Sequence, residues 1–350
     1  MAQGLGFLRS LLCRFGLILL PFLTHISADS VGDLQTKGRT QINAQLAKST
    51  TCHSPTIRRE WGDISVPERK AYIKAVLCLM ERPSKLPAGQ FPGATNRYED
   101  FVVVHMQQTL KIHRTGKFLP LHRYYTWVYE QTLKTECNYR GTQPYWDWGK
   151  WADNPEAPQS SMGRTQAWVV MDRRSVTKGM TVHLGPVSPV ADPAPPRNPR
   201  ADGYGINKRC LRRDIGPYLC KNFATTAIIT ALINDQKTIG AFQDTMQSTT
   251  GVHSAGHLTI GGDPGGDLYT SPNDPAFFLL HAMVDRVWTI WQSQDLPHRM
   301  QVMAGGTSMY GPSAPQKLTD IVDLTPLTSK VYQLKDLMSV VDGPFCYVYE

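Results

Sequence analysis

The stretch Asn273-Asp-Pro-Ala-Phe-Phe-Leu-Leu-His281-Ala-Met-Val-Asp285-Arg286-Val-Trp288 decides the architecture. From Pro275 to Gln292 the chain is apolar with few interruptions and reads as a helix of the core. An imidazole inside such a segment, His281, is costly unless something pairs with it. Upstream, His253-Ser-Ala-Gly-His257 carries two imidazoles four residues apart, on one face of a helix. With His281, 24 residues after His257, they form one cluster. His105, His113 and His122, spaced as His-x7-His and His-x8-His, form another. A single buried histidine is usually only hydrogen-bonded. Two sets of three, each on or beside a predicted helix, point to metal.

Working outward, apolar periodicity predicts helices over Trp61 to Met80, Tyr98 to about Ile112, and from near Pro120 to Lys134. A short one follows from Phe223 to Leu232, and another covers His253 to Leu258. Ser65-Val-Pro-Glu68 has the form of a capping box with proline in the first turn. Residues 141 to 220 hold much of the glycine and proline and read as long loops. Lys330 to Leu334 and Phe345 to Tyr349 are predicted strands. The helices gather around the histidines, which implies a mainly α bundle with the site inside it.

The 350 residues suffice for a sizeable core, and 41% hydrophobic with 19% charged residues is an ordinary globular balance. Arg9 and Arg14 precede the apolar run Phe15 to Leu23, so residues 1 to 28 read as a secretory signal cut near Ala28. An uncleaved anchor in the endomembrane system is the alternative. Residues 29 to 50 are polar and featureless, a flexible lead-in to a single domain over 51 to 350. Cys13 leaves with the signal; Cys52, Cys78, Cys137, Cys210, Cys220 and Cys346 remain, enough for three disulfides in an exported protein. Cys210 with Cys220 is the nearest local pair. Losing Arg9 and Arg14 lowers the formal charge from +8 to +6. Much of the excess sits at Arg197, Arg200, Lys208, Arg209, Arg212 and Arg213. No interleaved aromatic platform or binding motif accompanies them, so a solvated loop is expected and no nucleic-acid partner.

Imidazole-only donors suit zinc, copper, iron or nickel. A zinc hydrolase needs a general base beside its bound water, as in His-Glu-x-x-His. Between His253 and His257 stand Ser254, Ala255 and Gly256, without a carboxylate. Two equal neutral sites suit a copper pair that exchanges electrons with dioxygen. A zinc-bearing structural protein remains the chemical competitor, told apart by the metal found.

Gly116-Lys-Phe-Leu-Pro-Leu-His122-Arg-Tyr-Tyr-Thr-Trp and Pro144-Tyr-Trp-Asp-Trp148 resemble the first copper region of tyrosinases and catechol oxidases. Gly251-Val-His253-Ser-Ala-Gly-His257 and the stretch quoted at the outset resemble the second. The similarity spans about residues 50 to 350 and is nearest to short fungal tyrosinase-like oxidases, including those that modify ribosomally made peptides. The resemblance implies a four-helix bundle around a dicopper centre, with long loops and a few short peripheral strands. It implies His105, His113 and His122 on the first copper, His253, His257 and His281 on the second, and dioxygen as co-substrate. The expected reaction is oxidation of o-diphenols to o-quinones, with o-aminophenols or a peptidyl tyrosine as further substrates. The same six-histidine site also serves dioxygen carriers, the alternative of another class.

Departures from the family sharpen the expectation. Lys111 stands where several members have a cysteine cross-linked to the histidine two residues on, so no thioether forms here. Ser254 replaces an asparagine that orients a base for phenol deprotonation, with Asp244 as its acidic partner; monophenol hydroxylation is thereby disfavoured. Leu258 is expected to face the pocket mouth. Phe277 either packs on the site or is a core aromatic. Asp285 either orients a ligand histidine or pairs with Arg286 or another base. Tyr347-Val-Tyr349, just before Glu350, resembles the tyrosine motif that closes the family's catalytic core, so no C-terminal lid domain like that of longer members is expected. His25 goes with the signal, and His53, His183 and His298 are expected at the surface.

Overall fold

The structure, a computed structural model, describes residues 30–154, 180–187 and 197–350. The signal segment, with Cys13 and His25, lies outside them. Helix α1 is Ser30–Leu46, β1 is Thr56–Arg58 and α2 is Val66–Glu81. Helices α3 (Arg97–Ile112) and α4 (Phe118–Cys137) follow, then the single turn and a half of α5 (Trp148–Asp153). Beyond the short strands β2 (Thr181–Val182) and β3 (Arg209–Cys210) come α6 (Tyr218–Phe223), α7 (Thr226–Asp235), α8 (Ile239–Met246), α9 (Val252–Ile260) and α10 (Ala276–Ser293). Strands β4 (Ile321–Val322), β5 (Tyr332–Gln333) and β6 (Tyr347–Tyr349) complete the order.

Local chemistry sets these boundaries. Ser65 caps α2: its hydroxyl accepts the Glu68 N–H, and the Glu68 carboxylate takes the Ser65 N–H at 2.8 Å. Asn96 caps α3 by accepting from the Glu99 N–H, and α4 ends on Asn138 in the left-handed region, at φ 54°. Helix α10 is buried at every position from Ala276 to Ser293. It is the axle of the fold, with α4 along one side, α9 on another, and α1 and α7 covering the rest. The bundle of α3, α4, α9 and α10 is the predicted mainly α core.

Residues 29 to 50 are not a flexible lead-in: Ser30 to Leu46 form α1, docked on α7 and α10. Few apolar groups hold it. Gly38 lies against Ser293, where a Cβ would fall 1.9 Å from the serine hydroxyl oxygen. The other ties are amides: Gln35 donates to the Tyr349 carbonyl, Gln41 accepts the Leu296 N–H, and Gln294 donates to the Leu34 carbonyl. The predicted strands appear shortened. β6 pairs in parallel with β1, and β5 pairs with β4.

Two disulfides form among the described residues, not three. Cys52 joins Cys346 across 294 residues, fixing β1 beside β6, and Cys78 joins Cys137, tying α2 to the end of α4. The expected Cys210–Cys220 pair is wrong: Cys210 is exposed on β3, whereas Cys220 points from α6 into the core against α9. Burial pushes the Cys220 thiol up to about 12. Maleimide labelling of the folded protein should therefore modify Cys210 and spare Cys220 until the chain is denatured; equal labelling under native conditions would contradict this packing. The basic loop is also less solvated than expected. Arg209 and Arg213 turn inward to ion pairs with Asp263 and Asp274, while Arg200 pairs with Asp202 in solvent. No helix of the described residues is long and apolar enough to cross a membrane. Both disulfides suit an oxidising compartment.

Candidate metal centre

The six histidines converge as two groups of three, and within each the ligand atoms lie within 4.8 Å of one another. His105 comes from the middle of α3, His113 caps its end, and His122 stands one turn into α4. In this first triad every Nδ1 meets a main-chain carbonyl: Tyr269 at 2.8 Å, Thr109 at 2.9 Å and Phe118 at 2.7 Å for His105, His113 and His122. A carbonyl only accepts, so each Nδ1 carries the proton and each Nε2 keeps its lone pair. The Nε2 atoms of His105 and His122 are buried and have no hydrogen-bond partner.

His253 and His257 project from one face of α9, and His281 from α10. The Nε2 of His257 lies 3.1 Å from that of His253 and 3.3 Å from that of His281. Burial drives all six imidazoles toward the neutral form, His113 down to about 4 and His257 to about 3, with the other four well below their ordinary value. In the first triad the convergent Nε2 lone pairs have no proton to share and repel one another; in the second, three Nε2 atoms crowd around His257 while the buried Nδ1 of His281 has no partner. A cation removes that repulsion, so the donor set fits a metal ion at each triad.

Two phenylalanines separate the triads from the rest of the core. Phe277 packs 4.1 Å from the His281 ring and 5.3 Å from His105, and is 2% exposed. It therefore both touches the site and belongs to the core. Phe118, singled out by no sequence argument, lies 4.9 Å from both His122 and His253, one ring from each triad. Its position one helical turn before His122, inside the same motif, is the signal that could have found it. The rings of His122 and His281 stack at 4.2 Å, bringing the two triads into contact.

His257 is the one ligand-type histidine that is not fully buried, and Leu258 beside it is 41% exposed. The site therefore opens along α9, where Ser254, one turn before Leu258, is half-buried. Asp244 is exposed on α8 and has no hydrogen bond to Ser254, so the structure does not bring that pair together. Asp285 does not contact a ligand histidine. Its carboxylate accepts from Arg123 Nε and from the phenols of Tyr347 and Tyr349, both at 2.6 Å, with Arg58 at 3.5 Å. Two guanidinium charges outcompete any neutral imidazole for it. Arg286 pairs instead with Asp147. His183 is tied to Glu99 at 2.7 Å and is only partly exposed. Cavities of about 510 and 680 Å³ lie elsewhere and are lined by no histidine.

A helical bundle that gathers two buried three-histidine groups defines a metalloprotein of the paired-metal class. Residues 95–294 match the common central domain of tyrosinase, more than half of the chain. Tyrosinase P of Aspergillus terreus is 33% identical over 87% of this chain and 94% of its own length. N-acetyl-6-hydroxytryptophan oxidase of Emericella nidulans is 31% identical over 88% and 96%. A point mutant of the polyphenol oxidase of Thermothelomyces thermophila superposes with a TM-score of 0.80 at 32% identity, covering 92% of this chain and 98% of that one. The chain belongs to the tyrosinase family. It is a copper oxidoreductase, and its two triads fit the dicopper centre with which that family uses dioxygen.

Proposed function

We propose that this enzyme oxidises o-diphenols to o-quinones, two diphenols and one dioxygen giving two quinones and two waters. The observation that carries the reading is the pair of buried, neutral triads reached through an opening edged by Leu258. On this reading His105, His113 and His122 hold one copper, and His253, His257 and His281 the other. Bound there, the pair supplies two-electron exchange between phenol and dioxygen. The protein supplies the rest. Main-chain carbonyls fix which nitrogen each first-triad histidine presents, Phe118 and Phe277 pack against the ligand rings and hold them in place, and Leu258 offers an apolar edge to an aromatic ring.

Monophenols are weaker substrates on this reading. The charges acting most on His253 and His257 are those of other imidazoles, and Asp244 faces solvent. The candidate acidic partner, Asp244, makes no hydrogen bond to Ser254 and is not placed to orient a base there. The disulfides accord with work in the secretory pathway. Oxygen uptake by the copper-loaded protein with a monophenol, an o-diphenol, an o-aminophenol and a tyrosyl peptide tests the order of preference. Fastest uptake with the diphenol is expected; turnover of the tyrosyl peptide alone would replace the reading with peptide modification, and reversible oxygenation without turnover would make the protein a carrier. His113→Ala should halve the bound copper and reduce uptake to background, measured by metal analysis alongside the assay.

A further inference from the structure

Arg114 follows His113 directly and occupies the left-handed region, at φ 51°. Apart from Asn138, a residue type that tolerates this conformation, it is the only non-glycine with positive φ among the described residues. An arginine there is strained relative to a relaxed backbone. Glycine would avoid the strain, yet the position carries a long cationic side chain. Its backbone is held firmly. The Arg114 N–H donates to the buried Gln247 side chain at 2.8 Å, and two residues on Gly116 donates to the Gly306 carbonyl. Gln247 closes α8 six residues before His253, and the rings of His113 and His253 are 6.4 Å apart. Arg114 thus stands at the seam where the two triads meet on the α9 side. Its guanidinium is exposed and has no partner among the described residues.

We infer that Arg114 is a specificity residue that binds the carboxylate of an anionic phenolic substrate at the rim of the site. The inference rests on the diphenol-oxidase reading and names the substrate class within it. Ser254 and Leu258, four residues apart on α9, edge the opening, and the turn that carries Arg114 is tied through its backbone to Gln247, just ahead of α9. The aromatic ring enters against Leu258, and a carboxylate a few bonds from the ring meets the guanidinium, whose two parallel N–H groups match it. An unpaired arginine on a pinned backbone is pre-organised for that contact. Lys111, exposed on the last turn of α3, carries the same charge nearby without belonging to the contact.

The test compares 3-(3,4-dihydroxyphenyl)propanoate with its methyl ester in oxygen uptake by copper-loaded wild type, Arg114→Gln, Arg114→Lys and Lys111→Gln. Arg114→Gln is expected to raise the KM ratio of acid to ester about tenfold, equivalent to ~1.4 kcal/mol. Arg114→Lys should restore part of that ratio, and Lys111→Gln, which removes the same charge nearby, should leave it alone. Equal shifts for acid and ester, or the same ratio change in Lys111→Gln, would overturn the inference. Calorimetric titration with 3-phenylpropanoate, which cannot be oxidised, separates it from the reading beneath. Weaker binding to Arg114→Gln supports the contact even where no diphenol is turned over, and unchanged binding refutes it.

Discussion

Replacing Asp285 with alanine should destabilise the protein by about 3–5 kcal/mol, the usual cost of stranding a buried charge. Asp285 is 2% exposed and balances Arg123, which is itself sealed among the Met338 carbonyl, Thr289 and Gln292. Arg58 sits beside it and is shared with Glu130 at 2.6 Å. Removing the carboxylate leaves Arg58 with Glu130 and strands Arg123 without a counter-charge in a region closed to water. Burial, then the charge of Asp285, raises the Tyr347 and Tyr349 phenols well above their ordinary value, so both remain donors at neutral pH and lose their acceptor in the variant. Urea unfolding of the copper-free wild type and variant measures the difference. Asp285→Asn, which keeps the shape and loses the charge, should show most of the loss. A change under about 1 kcal/mol in both would mean that the network is not holding α10 in place.

Acid should destabilise the copper-free protein well above the range in which carboxylates titrate. The unfolded chain takes up imidazole protons near pH 6.5, whereas His113 and His257 in the fold resist protonation until about 4 and 3. Between those limits the unfolded state binds more protons, so stability falls as pH falls. It is fully present above 6.5 and is lost progressively toward 4. Six such groups together make the effect several kcal/mol, to order of magnitude. Thermal melts of the copper-free protein at pH 7.0 and 4.5 should separate by more than 10 °C. The loaded protein should melt higher at both values, because ligation requires the same neutral imidazoles that the fold enforces. A copper-free melting temperature independent of pH across this interval would show that the triads are open to water.

The helices that carry the site are legible in the sequence because each announces itself locally. Ser65 and Glu68 mark the start of α2, and the apolar run around His281 admits no other reading. The His253–His257 interval by itself dictates a shared helix face. Helix α1 is not legible because its apolar row is sparse, Val31, Leu34, Ile42 and Leu46 with Gly38 between them, and amide hydrogen bonds supply much of the rest of its docking. Helix α8 escapes the periodicity reading although Ile239, Phe242 and Met246 lie on one buried face behind the Thr238 cap. Asp285 misleads for a different reason. Four residues from His281 is the right spacing for a contact along the helix, but spacing says nothing of arginines arriving from α4 and β1. Likewise, the core disulfides join residues far apart in sequence, which proximity along the chain does not reveal.

The first triad takes its orientation from the carbonyls of Thr109, Phe118 and Tyr269, and this bears on how the enzyme can change over generations. An acceptor supplied by a side chain disappears with one altered codon. A main-chain oxygen survives every substitution at its own position, provided the helix or loop keeps its path. The histidine tautomers are therefore insulated from mutation at their supporting positions. Variation can accumulate around the rim, at residues such as Arg114 and Leu258, while the geometry that receives copper is inherited with the backbone.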